Sequence, residues 1–232
     1  MSMPLRRQAV GVSTSDALLD LRVRRLPERQ VQDRSALHAL LDEALVAHVG
    51  LVRDGVPVVL PVGCARDGDS LLLHGSTGGG LFRDAAAGAQ LAVTVTLLDG
   101  LVFARSLFDS SMNYRSAMIV GAATRVPEAE VPEALRVLSE HLMPGRWAEV
   151  REGTRREWAA TMVLRLDLAR ASVKVRAHQA SVEPDDGEDR SVWAGVLPLA
   201  LAAGAPESVD DATGVPVPPS VTAARARFHT PA

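Results

Sequence analysis

The chain has 232 residues, of which 47% are hydrophobic and 23% charged, a composition that supports a buried core and excludes a wholly disordered protein. The formal net charge of −3 argues against a nucleic-acid binder held by bulk positive charge. A single cysteine, Cys64, excludes an internal disulfide and a cysteine-based zinc site, and suits a reducing compartment. There is no apolar run of the roughly 20 residues that a transmembrane helix needs, and no apolar segment of a secretory signal, so we expect a cytoplasmic protein.

Changes in composition divide the chain into three parts. We expect a flexible N-terminal arm over residues 1–20, one folded domain over residues 21–205, and a tail rich in proline and alanine over residues 206–232. The tail shows no helical or strand period. It is therefore predicted to be either a loose end or a strap over a partner subunit.

The first half of the folded domain is predicted to be a helix followed by a meander of strands. Asp33 is a good N-cap, and the apolar spacing after it predicts an amphipathic helix over residues 34–47. Strands are expected at residues 48–53, 56–64 and 70–74. The pairs Asp54-Gly55 and Asp67-Gly68 separate these strands, and such a pair between β-branched runs is a strong hairpin signal.

The second half continues in the same way. Further strands are predicted at residues 90–98, 101–107, 116–126, 161–168 and 171–176. A third pair, Asp99-Gly100, predicts a hairpin turn between the first two of them. Helices are expected at residues 81–87 and 131–142, the second ended by Pro144-Gly145. Because consecutive strands are joined by hairpins and do not alternate with helices, the pattern favours an antiparallel barrel with flanking helices.

A glycine-rich segment at residues 74–83, His-Gly-Ser-Thr-Gly-Gly-Gly-Leu-Phe-Arg, connects a predicted strand to a short helix. Glycines let the backbone approach an anion, a helix N-terminus offers free N–H groups, and Arg83 adds a guanidinium for phosphate. The segment has neither a Walker A nor a Rossmann pattern. It is therefore either a phosphate cradle or a flexible surface turn.

Two further positions carry side chains suited to a ligand. Asn113-Tyr114-Arg115-Ser116 contains the only tyrosine of the chain, and it is either a cofactor-lining segment or a loop with a salt bridge. His74 ends a strand at the glycine segment, where it either meets a ligand or only makes a hydrogen bond. The histidines show no metal-ligand spacing, so we expect no metal site, and hydrolase motifs are absent from the sequence.

The apolar run at residues 193–199, which begins with Trp193, is expected to be a core plug, a dimer contact or the wall of a flat ligand site. Lys174 is the only lysine among 25 basic residues. It is either a solvated residue like most lysines or a functional cation.

Together these segments resemble the pyridoxamine 5′-phosphate oxidase-like flavin-binding family, in particular the branch of the 5-nitroimidazole reductases. Each segment alone is a weak signal, but their order and spacing are specific over residues 20 to 200. The segments that carry the resemblance are Gly68–Ser76, Leu81–Arg83, Asn113–Gly121, Pro144–Trp147, Ala171–Arg176 and Val192–Pro198.

The resemblance implies a split β-barrel of Greek-key-like antiparallel strands that binds FMN at a homodimer interface. It assigns the phosphate to Gly75, Ser76 and Arg83. It places His74 near the flavin and the substrate. The remaining residues that it assigns to the cofactor are Pro61, Val62, Asn113, Tyr114, Arg115, Ser116, Lys174 and Trp193.

One departure from the family pattern concerns the phosphate site. Relatives often carry an arginine where this chain has Gly79-Gly80, so one expected cation is missing and flavin affinity is expected to be reduced.

The function implied is that of a homodimeric, FMN-dependent oxidoreductase acting on a small molecule such as a nitroaromatic or a quinone. NAD(P)H is the candidate electron donor, and His74 is the expected proton donor. The alternatives are a non-catalytic flavin-binding or storage protein, and a relative that uses F420 or haem instead of FMN.

Overall fold

The computed structural model describes residues 20–186 and 191–228, so residues 1–19 of the predicted arm lie outside the described part. The strands are β1 Gln30–Val31, β2 Val46–Arg53, β3 Val56–Asp67, β4 Ser70–Ser76, β5 Gln90–Phe103, β6 Ser111–Ala122, β7 Thr124–Arg125, β8 Thr161–Asp167, β9 Ala171–Arg176 and β10 Gly195–Pro198. The helices are α1 Arg34–Glu43, α2 Gly80–Ala86, α3 Val131–Leu142, α4 Arg146–Glu149, α5 Arg155–Ala160 and α6 Pro219–Arg227. None of the described helices is long and apolar enough to span a bilayer.

The ten strands form one antiparallel sheet that curls around a core. Their order is β1-β9-β6-β5-β2-β3-β4-β8-β7, and β10 adds to β5. At the Asp54-Gly55 hairpin both residues have positive φ, 51° and 79°, as a type I′ turn requires. The expected class, a mainly β split barrel with flanking helices, is confirmed.

Two apolar clusters lie on opposite faces of the sheet. Inside the barrel, fully buried residues such as Leu41, Val49 and Leu164 pack together, each stabilising the fold by about 1.5–3 kcal/mol. On the outer face, α3 packs its Leu138 against Leu72 of β4 and its neighbours. The outer face of β2, of β5 and of the first half of β3 has no such helix cover among the described residues.

The first helix is shorter than predicted. Asp33 caps α1 as expected, its side chain accepting a hydrogen bond from the Ser35 N–H, but α1 ends at Glu43 and not at residue 47. From Ala47 onward the buried positions alternate with exposed ones through Val49 and Leu51. The apolar period of 3.6 residues therefore changes to 2 earlier than the sequence suggested.

The prediction of a hairpin at Asp99-Gly100 was wrong. β5 continues through both residues with a register shift between Leu98 and Gly100. A Cβ on Gly100 would lie 3.0 Å from the Leu197 carbonyl oxygen, so this glycine allows β10 to approach closely. The predicted loop at residues 113–115 was also wrong, because these residues lie inside β6.

The tail was expected to lack regular structure, but it contains α6. The Ser220 N–H donates to Glu149 Oε1 at 2.9 Å, and Arg227 Nη2 donates to the carbonyl oxygen of Asp42 at 2.8 Å. These contacts attach α6 to α4 and to the end of α1. The part of the tail that carries α6 therefore packs on its own chain.

Candidate functional site

The glycine loop, residues 77–79, connects β4 to α2 and is anchored on α5. It is shorter than predicted, because Gly75 and Ser76 belong to β4 and pair with β8. The Gly79 N–H donates to the Ser76 carbonyl oxygen at 2.9 Å, which makes a tight turn. The Thr77 N–H donates to the carbonyl oxygen of Ala160, the last residue of α5, at 3.0 Å. The loop therefore has a defined position beside α5.

Gly75 sets the position of α2 behind the loop. A Cβ on Gly75 would lie 2.4 Å from Phe82 Cε2, so the buried Phe82 ring rests directly on the backbone of β4. This contact explains why a glycine follows His74. Arg83, also on α2, is exposed.

Arg53, at the end of β2, occupies the space beside the glycine loop. A Cβ on Gly80 would lie 2.6 Å from Arg53 Nη2, and Arg53 Nε donates to Asp84 Oδ2 at 2.6 Å. Arg53 Nη2 is buried and has no hydrogen-bond partner among the described residues. An orphaned guanidinium nitrogen beside a glycine turn is the donor that a phosphate oxygen needs.

Arg53 was not identified from the sequence as a candidate phosphate ligand, although the sequence did show that a cation is missing at Gly79-Gly80. The sequence shows that a cation expected at Gly79-Gly80 is missing, but it does not show which residue replaces it. Arg53 lies 27 positions before Gly80, and only the pairing of β2 with β3 and the docking of α2 bring them together. Arg53 of β2 therefore places a guanidinium beside Gly80.

His74 lies on the outer face of β4, at the end of α3. A Cβ on Gly63 would lie 3.4 Å from His74 Cε1 and 3.7 Å from Leu142 Cδ1, so the ring rests against the backbone of β3. Burial lowers the pKa of His74 below its usual value of 6.5, which favours the neutral imidazole. Its Nδ1 is buried without a partner among the described residues. His74 therefore keeps a ring nitrogen available for a ligand or a proton.

A row of cross-strand neighbours runs over the exposed outer face. His48 of β2 lies opposite Pro61 on β3 and opposite Thr94 on β5. Thr94 in turn lies opposite Met118 of β6. Pro61 and His48 are exposed, whereas Val62, next to Pro61, points into the core.

A groove of about 470 Å³ continues this face under the segment of residues 20–25. Its lining combines hydroxyl groups of the sheet with basic side chains. Ser116 and Lys174, both assigned to the cofactor in the sequence, face each other across β6 and β9 in this groove. The lining also contains Thr94, Thr96, Ser172, Arg22, Arg24 and Asp20, and Asp20 pairs with both arginines. Lys174 and the hydroxyl groups are therefore the donors that suit an anionic group.

Two of the predicted residues, Arg115 and Asn113, are engaged by the protein itself. Arg115 Nη2 donates to Asp99 Oδ1 at 2.7 Å and to Glu43 Oε1 at 2.9 Å, and these carboxylates raise its pKa further. Asn113 is buried and donates to the His178 carbonyl oxygen at 3.0 Å. Tyr114 is partly buried between them in β6.

Trp193, the last of the predicted residues, precedes β10. It is 65% exposed and leans on Phe103, with the ring centroids 5.9 Å apart. The structure therefore places Trp193 at the edge of the exposed sheet face and outside the core.

Comparisons with known proteins identify the family and the fold of the chain. The family model for pyridoxamine 5′-phosphate oxidase matches residues 33–175. The FAD and haem binding protein from Mycobacterium smegmatis is 42% identical, with a TM-score of 0.81 over 85% of this chain and 97% of that one. The flavocytochrome Anf3 from Azotobacter vinelandii is 36% identical, with a TM-score of 0.81 over 88% of this chain and 95% of that one.

A more distant match shows the fold alone. A putative 5-nitroimidazole antibiotic resistance protein from Bacteroides thetaiotaomicron is 20% identical, with a TM-score of 0.53 over 63% of this chain and 86% of that one. No curated protein sequence matches this chain significantly. On the family match and the two strong structural matches, the chain belongs to the pyridoxamine 5′-phosphate oxidase-like family of flavin-binding proteins, as its sequence motifs indicated.

Proposed function

We propose that this chain is a two-cofactor redox protein that binds FAD and haem and uses the flavin to reduce or oxidise a small molecule. The observation that carries the proposal is the 42% identity to a FAD and haem binding protein along 97% of that protein's length. The similarity to a flavocytochrome supports the same pair of cofactors. FAD therefore replaces FMN, and haem is added to the flavin instead of replacing it.

The glycine loop and Arg53 fit the phosphate end of a flavin. The absence of a side chain at Gly80 lets the Arg53 guanidinium lie against the loop, and Nη2, which has no partner among the described residues, would donate to a phosphate oxygen. When bound, the flavin supplies hydride and single-electron transfer. The chain itself supplies the phosphate anchor and the orientation.

His74 is the residue that we assign to proton delivery. Its partnerless Nδ1 and its position beside β3 suit a proton donor to a substrate reduced at the flavin. Because its pKa is lowered, the imidazolium form is favoured only below the usual pH of 6.5, so turnover should rise as pH falls through that pKa.

The variant His74→Gln tests this role. We expect it to keep the flavin absorption band, to lose about 10²- to 10⁴-fold in turnover, and to flatten the acid limb of the pH profile. The control is His38→Gln, on a ring paired with Asp69 at 3.0 Å outside the site. An unchanged pH profile in His74→Gln would exclude His74 as the proton donor.

His48 is the residue that we assign to the haem iron. A haem ligand needs an accessible imidazole on an apolar surface, and His48 is exposed on the same face as Val46 and Val59, which are 46% and 61% exposed. The groove with Lys174 begins at its neighbour Thr94 and suits the acidic groups of haem. Of the other described histidines, His38 and His141 already bond to Asp69 and to the Ala44 carbonyl oxygen.

The proposal is tested by the absorption spectrum of the purified protein after addition of FAD and haem. We expect a flavin band and a Soret band together, and extraction should release FAD. In His48→Ala the Soret band should be lost or shifted while the flavin band stays, and His38→Ala should keep both. A protein that takes up flavin but no haem, or that prefers F420, would contradict the two-cofactor proposal.

We also propose that NAD(P)H is the electron donor.

We further propose that two copies of the chain form a dimer through the exposed sheet face. Phe103 and Leu101 of β5, Met112 of β6 and Leu197 of β10 are 36–49% exposed on neighbouring strands. An apolar patch of this kind on a soluble fold is typical of a subunit interface.

A further inference from the structure

The structure contains an aromatic cavity that the predicted site does not use. It has a volume of about 440 Å³, within the range of about 300–1,000 Å³ that is usual for small-molecule pockets. Two of the three tryptophans of the chain, Trp147 and Trp158, line it. Their rings stack with centroids 6.1 Å apart and an interplanar angle of 26°.

The cavity is a built feature of α4, α5 and the segment between them. A Cβ on Gly153 would lie 2.3 Å from Trp158 Cζ2, so the indole ring rests on bare backbone. A capping box holds the start of α5: the Thr154 side chain accepts from the Glu157 N–H, and the Glu157 carboxylate accepts from the Thr154 N–H. The position of the Trp158 ring is therefore defined by local structure.

The rim of the cavity carries one paired arginine and a second carboxylate, that of Glu152. Arg151 Nη2 donates to Glu157 Oε1 at 2.6 Å and Nη1 donates to Glu157 Oε2 at 2.8 Å. These bonds lower the pKa of Glu157 to about 2, so the pair stays ionised at neutral pH. An uncharged flat ring suits an aromatic-lined cavity whose one arginine is already paired with Glu157. The carboxylate of Glu152, at the same rim, can accept a hydrogen bond from an amino group on that ring.

The cavity adjoins the glycine loop through α5. Trp158 lies two residues, about 3 Å of helix rise, before Ala160, and the Ala160 carbonyl oxygen accepts hydrogen bonds from both the N–H and the hydroxyl of Thr77. FAD differs from FMN by an added adenosine monophosphate, which extends from the phosphate. If the phosphate of FAD binds at the glycine loop, the adenosine that extends from it can reach the Trp158 ring on α5.

We propose that the Trp147–Trp158 cavity binds the adenine ring of FAD and so makes the protein select FAD over FMN. This inference rests on the flavin binding proposed above. It assigns the face of Trp158 to stacking and Glu152 to the exocyclic amino group.

The test compares the dissociation constants of FAD and FMN in the wild type and in Trp158→Ala. We expect the wild type to prefer FAD, and the variant to lose about 5- to 150-fold in FAD affinity with little change for FMN. Trp158→Phe, which keeps a stacking ring, should retain most of the preference. The control is Phe108→Ala, which removes a 94% exposed aromatic ring that does not line the cavity and should leave the ratio of the two constants unchanged.

The outcomes separate the inference from the proposed function. If the wild type prefers FAD and both Trp158→Ala and Trp147→Ala keep the ratio, the adenine site is elsewhere and flavin binding stands. Equal loss for both flavins would show that the tryptophans are only structural, and would overturn the inference too. Failure of the wild type to bind either flavin would overturn the proposed function itself.

Discussion

Replacing Arg53 with alanine is expected to weaken flavin binding by about 10- to 100-fold. A hydrogen bond to a charged group contributes about 1.5–3 kcal/mol, and each 1.4 kcal/mol corresponds to a factor of ten in affinity. Arg53 Nη2 is buried beside Gly80 and has no hydrogen-bond partner in residues 20–186 and 191–228, so no bond of Nη2 within this part of the chain must first be broken. The measurement is a titration of the purified protein with FAD and with FMN.

The loss of flavin affinity should depend on which arginine is replaced with alanine. Arg136→Ala, which removes an exposed arginine paired with Glu133 on α3, is the matched control and should leave the affinity unchanged. Arg83→Ala should have a smaller effect than Arg53→Ala, because the Arg83 side chain is exposed to water, whereas Arg53 Nη2 is buried beside Gly80. Loss of affinity in Arg83→Ala alone would contradict the assignment of the phosphate to Arg53.

The contact between Gly75 and Phe82 is expected to make a large contribution to the free energy of unfolding. Gly75→Ala forces a methyl group to within 2.4 Å of the Phe82 ring and should cost about 1–3 kcal/mol of unfolding free energy. Phe82→Ala should cost about 3–5 kcal/mol, because it empties a buried site. The double variant should cost less than the sum, since the smaller side chain at 82 makes room for the methyl group at 75.

Urea unfolding of the four proteins measures this coupling. Gly78→Ala is the control within the same loop, since its Cβ would meet only Ser76 Oγ at 3.6 Å, an ordinary contact. Additive costs for the two substitutions would show that Phe82 does not pack on Gly75. Equal costs for the alanine substitutions at 75 and 78 would lead to the same conclusion.

Much of the local structure was predictable because the signals act within a few residues. Asp33 caps α1 through its own side chain, and Asp54-Gly55 adopts the two positive φ angles that its turn demands. The alternation of apolar residues in β8 and β9 places one face of each strand in the core. The order of the family motifs further predicted the split barrel and the binding of a flavin.

The predictions were wrong where a residue's structural role depends on a partner that is distant in the sequence. Asp99-Gly100 has the composition of a turn, but Gly100 is needed for the approach of β10, almost one hundred residues later in the chain. Arg115 was expected at the cofactor, yet Asp99 and Glu43 converge on it from two other elements.

The sequence by itself determined the strand and helix periods, most of the turns and the family to which the chain belongs, because propensity, capping and spacing are properties of neighbouring residues. The tertiary structure alone decided that Arg53 meets Gly80, that Trp147 and Trp158 line one cavity, and that His48 and His74 share the outer face of the sheet. These encounters depend on strand register and on helix docking, which bring together residues that are far apart in the chain.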